Sequence, residues 1–184
     1  MRSDALLAFV PLGSALSLVA GTGVSIPSPI TFDALGQGVG TAPVNIIGSA
    51  TVFGTDFGVG DDRPLLNVVI GTALATATSA TLNVAFQGAV DPGAGGNYTP
   101  TTWQTLVETG PLTAAQCTAN TRVARFDWPP AFPETMAAAP RFFRLLFQIP
   151  ASTNFTAGTC AFALVTTARD DQANRNAARN FAVF

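Results

Sequence analysis

Three aspartates crowd one glycine-rich turn: Asp56, Asp61 and Asp62 in "GTDFGVGDDRP". Oxygen donors at that density suit a hard cation such as calcium, yet the spacing fits no EF-hand loop. Aspartates in turns also bond nearby backbone N–H groups, and Arg63 follows directly to neutralise one of them. Glu108 and Glu134 are the only glutamates, and a facing carboxylate pair is what glycoside hydrolysis requires. Glu108 falls at the end of a strand-like run and Glu134 in a proline-rich loop, so nothing in the sequence brings them together. "GQGVGT" (Gly36, Gly38, Gly40) lacks both the GxGxxG spacing and the lysine of a phosphate loop. Cys117 and Cys160 form one bridge or none, which is not a disulfide framework. With no His in the chain to activate it, Cys160 reads as a buried thiol and not as a nucleophile.

The residue inventory narrows the chemistry further. There is no His, and all nine basic residues are Arg. His-based triads, His metal sites, Schiff-base lysines and P-loop lysines are therefore ruled out. We expect no catalytic residue, no cofactor, no metal and no enzymatic role. A net charge of −2 and a pI near 4.8, without a basic cluster, give no footprint for nucleic acid. Charged residues make up 11% of the 184 positions, against about 25% in a typical globular chain. The exterior is accordingly Thr, Ser, Asn, Gln, Gly and small apolar residues, a surface suited to being covered by partners. Tyr98 and Trp103 lie close in sequence, either as a sugar-stacking platform or as hydrophobic anchors in core or interface.

The elements that position these residues read as strands. "TLNVAFQ" places Leu82, Val84 and Phe86 on one face, with Asn83, Ala85 and Gln87 on the other. "LLNVVIGTAL" aligns Leu66, Val68, Ile70 and Leu74. "RFFRLLFQIP" offers Phe143, Leu145, Phe147 and Ile149 to one side, and Phe142, Arg144, Leu146 and Gln148 to the other. "TCAFALVTT" sets Cys160, Phe162 and Leu164 against Ala161, Ala163 and Val165. "VNIIGSATVF", "TWQTLVETG" and "TRVARFDW" are further strands, the last two alternating imperfectly. Pro- and Gly-rich turns separate the runs. Short strands at regular spacing argue an all-β sandwich or barrel, with a jelly roll of about eight strands as the best match. The division is an arm at 1–24, a jelly-roll domain at 25–168 and a tail at 169–184. The tail, "RDDQANRNAARNF" at its core, is either a short helix or a solvated turn. Arg175 and Arg179 share one of its faces and are placed to meet a partner's carboxylates.

Four stretches together carry a family likeness: "PLGSALSLVAGTGVSIPS", "VGDDRPLLNVVIGTALATATSATLNVAFQGAVDPGAGGNYTPTTWQTLVETGPLTAAQ", "RFFRLLFQIPASTNFTAGT" and "ALVTTARDDQANRNAARNF". They resemble the capsid cement (decoration) proteins of the short-tailed Bordetella phage type, from about Pro11 to the C-terminus. The resemblance implies a jelly roll that self-associates, as a homodimer or homotrimer, on the outside of an icosahedral head. It also implies stapling of neighbouring major capsid proteins, so that the shell resists the pressure of packaged DNA. Assembly in the host bacterial cytoplasm and residence on the virion surface follow, with no direct nucleic-acid or membrane partner. The alternative on the same fold is a receptor- or glycan-binding fibre module.

"LLAFVPLGSALSLVAG" superficially suggests a signal peptide. Asp4 spoils its basic start, and Pro11 and Gly13 break the apolar run. It is expected instead to be an extended arm, with Leu6, Leu7, Phe9 and Val10 buried against a neighbouring subunit or the capsid. Phe142 and Leu146, apolar on the second face of their strand, are expected as an exposed contact patch. Together with Arg175 and Arg179 these are the candidate interface residues.

Overall fold

A computed structural model describes residues 8–35, 39–42, 64–92, 98–128, 136 and 138–167. The described chain is all-β, in two antiparallel sheets arranged as a sandwich. Sheet one joins β1 (Ala8–Val10), β2 (Leu16–Ser17), β5 (Pro64–Ile70), β9 (Arg122–Asp127) and β11 (Thr159–Thr167). Its order is β1-β11-β5-β9, with β2 also on β11. Sheet two joins β3 (Ser25–Pro27), β4 (Phe32–Asp33), β6 (Thr81–Ala89), β7 (Gln104–Glu108), β8 (Leu112–Thr113) and β10 (Phe142–Gln148). Its order is β3-β10-β6-β7, with β4 on β10 and β8 on β6.

Period two does most of the folding work. Leu82, Val84 and Phe86 meet Phe143, Leu145 and Phe147 across the β6–β10 pair, and Leu66, Val68 and Ile70 face them from sheet one. Each fully buried side chain of this kind contributes roughly 1.5–3 kcal/mol relative to exposure. At one end of the core the aromatics gather around Trp128. Its ring centroid lies 5.1 Å from Phe32, 5.2 Å from Phe143, 5.5 Å from Phe86 and 5.7 Å from Phe9.

Both outer strands of sheet two are interrupted at a hydroxyl residue. Between β3 and β4, the Leu145 N–H of central strand β10 donates to Ser28 Oγ at 3.1 Å. Between β7 and β8, the Val84 N–H of β6 donates to Thr109 Oγ1 at 3.1 Å. In each case a side-chain oxygen replaces the missing carbonyl, so the central strand loses no hydrogen bond where its neighbour turns away.

Two expectations need correction. Phe162 does not join Cys160 on the inner face, because the register of β11 against β5 shifts between Cys160 and Phe162. This β-bulge inserts one residue, so Ala163 and Val165 turn inward with Cys160, while Phe162 and Leu164 turn outward. The segment read as an arm supplies β1 and β2. Phe9 is 1% exposed and Val10 fully buried, both in the domain's own core. Phe9 stacks edge-on against Phe86 at 5.7 Å, and the Ile30 N–H donates to the Phe9 carbonyl at 3.3 Å, linking the two sheets. These two side chains are thus spent internally and are not offered to a neighbour. Leu6, Leu7 and the tail lie outside the described residues, as does "VNIIGSATVF".

Truncating residues 1–10 therefore removes a core strand, and the domain is not expected to stay intact without it. Phe9→Ala is expected to destabilise by about 3–5 kcal/mol, the usual loss for a buried Phe. Chemical denaturation measures this, and a change near zero would place Phe9 outside the core.

Candidate functional site

The second face of β10 and β6, turned away from the core, carries the concentrated polar chemistry. Arg141 stands at its head, immediately before β10, and is only 5% exposed. Its Nε donates to Asp33 Oδ1 at 2.9 Å and its Nη2 to Asp33 Oδ2 at 3.0 Å, a bidentate fork. Nη1 donates to Asp91 Oδ2 at 2.7 Å, and Nη2 also to the Thr41 carbonyl at 2.9 Å. The guanidinium lies 4.6 Å over the Phe142 ring and 5.8 Å from that of Tyr98. The hydrogen bond to Asp33 chiefly raises the Arg141 pKa, against the opposing cost of burial. The charge persists despite burial because both carboxylates are in place.

Two polar rows cross the strands below it. In one, Arg144 Nε donates to Gln87 Oε1 at 2.9 Å, and Gln87 Nε2 to Thr105 Oγ1 at 3.3 Å. The Arg144 guanidinium sits 4.2 Å over the Trp103 ring, and its burial lowers its pKa. In the other, Asn83 Nδ2 donates to Glu108 Oε2 at 2.8 Å and to Gln148 Oε1 at 2.9 Å. Between the rows Leu146 lies against Ala85 in register.

The structure places the candidate residues as follows. Phe142 is fully buried and Leu146 is 8% exposed, so neither is the open apolar patch expected of it. Phe142 is roofed by the Arg141 guanidinium, which the strand alternation alone did not reveal. Tyr98 and Trp103 each face a different arginine, Arg141 and Arg144 respectively. Leu6, Leu7, Arg175 and Arg179 lie outside the described residues, as do Asp56, Asp61, Asp62 and Glu134. Glu108 is engaged by Asn83. Both cysteines are free and buried. Burial pushes the Cys117 thiol up to about 11 and that of Cys160 to about 12, and Cys160 Sγ donates to the Phe162 carbonyl at 3.4 Å. Among the described residues there is no group of three or more His, Cys, Asp or Glu side chains able to hold a metal. No helix among them is long and apolar enough to cross a membrane.

The sequence reading missed Arg141, Asp33 and Asp91. The available signal was a charged residue directly before a strongly apolar strand, where its burial demands a countercharge. No protein-family model matches the sequence, and comparison with curated proteins finds no match.

Removing Arg141 strands a buried carboxylate. Arg141→Met is expected to destabilise by about 3–5 kcal/mol, and adding Asp33→Leu should recover a substantial part. A double-mutant cycle in urea measures both, and simple additivity would contradict the coupling. The raised thiol pKa values predict a second effect. An unfolded thiol ionises near 9.0, whereas the folded ones resist up to about 11 and 12. Their contribution is therefore intact below pH 9 and is lost as pH rises through the folded values. The urea midpoint should fall over that window, and Cys117→Ala with Cys160→Ala should flatten the decline.

Proposed function

We propose that this chain is a structural cement protein of a phage capsid. In this reading it is an eight-stranded jelly roll that self-associates on the outer surface of the head and staples neighbouring major capsid proteins. The four stretches quoted above support the family likeness. The structural observation that carries the reading is strand order. When each interrupted pair is taken as one strand, the described elements run β1/β2-β11-β5-β9 in one sheet and β3/β4-β10-β6-β7/β8 in the other. Apart from β6 and β7, which are neighbours in one sheet, successive strands alternate between the two sheets, and this supports the jelly-roll reading.

A staple does no chemistry; it must hold its shape under outward load and present contacts at many equivalent positions. The cross-strand ties of sheet two suit the first requirement, since Arg141, Arg144 and Asn83 each bind side chains of other strands or loops. Repetition on a symmetric shell suits the second, because each weak contact is multiplied by the symmetry.

Purified particles are expected to contain this chain in stoichiometric ratio to the major capsid protein, with density on the outer surface. Particles lacking it should release their DNA at lower temperature. Absence from particles, or unchanged particle stability without it, overturns the reading. Density confined to a tail fibre would instead favour the receptor- or glycan-binding module.

A further inference from the structure

We propose that the depression at the far end of the outer face of sheet two, opposite Arg141, is a binding site for a neutral saccharide. Ser25, Thr81, Asn83, Gln148 and the rings of Pro111 and Pro150 line it, around a volume of about 390 Å³. That lies within the roughly 300–1,000 Å³ of small-molecule sites.

Three properties define the occupant. First, polar groups converge there with capacity to spare. Gln148 Oε1 is held by Asn83 Nδ2 at 2.9 Å, which orients the amide and leaves Nε2 open. Gln148 Nε2 and the Ser25 and Thr81 hydroxyls make no hydrogen bond to the described residues. Asn83 itself is fixed by Glu108 on its other side at 2.8 Å, so the wall is pre-organised. Second, none of the lining side chains is charged. A phosphate or acidic ligand would lack a countercharge, whereas sugar hydroxyls match hydroxyl and amide partners as both donors and acceptors. Third, the rim resists a peptide strand. Pro111 and Pro150 have no N–H to offer a strand laid along them. Their ring carbons instead present the apolar surface that the C–H face of a pyranose needs.

Saturation-transfer NMR on the full chain, with lactose, maltose, cellobiose and diacetylchitobiose as probes, tests the site. At least one is expected to bind in the millimolar range. Gln148→Ala and Thr81→Val should each weaken it by up to about tenfold, the worth of one hydrogen bond. Ser25→Ala serves if either variant melts early. Trp103→Ala, remote from the depression, should leave binding unchanged. Silence from all four sugars overturns the proposal, as does binding that survives the Gln148, Thr81 and Ser25 substitutions. Loss with Trp103→Ala also overturns it, by moving the site to that aromatic. The assay contains no capsid, so its failure is distinct from failure of the cement reading.

Discussion

A guanidinium buried at the head of a β-strand constrains everything around it. Arg141 is almost fully removed from water, and a charge in that position is tolerable only when its donors are matched by fixed acceptors. Asp33 supplies two oxygens from β4, Asp91 one from the segment after β6, and Thr41 a backbone carbonyl. Edge strand, central strands and loops are therefore held in one arrangement. The same cation covers Phe142, an aromatic ring that would otherwise lie open on the outside of the sheet.

The rest of sheet two repeats that solution with weaker parts. Arg144 ties Gln87 and covers Trp103; Asn83 ties Gln148 and Glu108. Where the edge strands break, Ser28 and Thr109 accept the N–H groups of the central strands. A sheet linked this way through both backbone and side chains is stiff. Stiffness is what the proposed staple needs, and the same ties orient the amide of Gln148 at the proposed saccharide site.

Much of this architecture was legible. Alternation in "TLNVAFQ", "LLNVVI" and "FFRLLFQ" correctly sorted Leu82, Val84, Phe86, Leu66, Val68, Ile70, Phe143, Leu145 and Phe147 to the core. It failed in "TCAFALVTT", where one inserted residue reverses every side chain beyond it. Such an insertion changes no residue type, so composition and period carry no trace of it. The polar residues opposite the core were visible too, as Asn83, Gln87, Arg144 and Gln148. Their partnership depends on β6 lying beside β10 in a particular register, which is long-range information.

The residue pattern alone was enough to establish an all-β chain, its central strands and the face of each that turns inward, because burial follows a period of two within a single segment. Tertiary structure decided the fate of the remaining apolar residues. Phe9 and Val10 look like an anchor until β1 docks on β11, and Phe142 looks exposed until Arg141 folds across it. Whether an apolar side chain outside the main alternation faces solvent, a partner or its own domain depends on what distant segments bring over it. That is a property of the packed chain and not of any stretch of it.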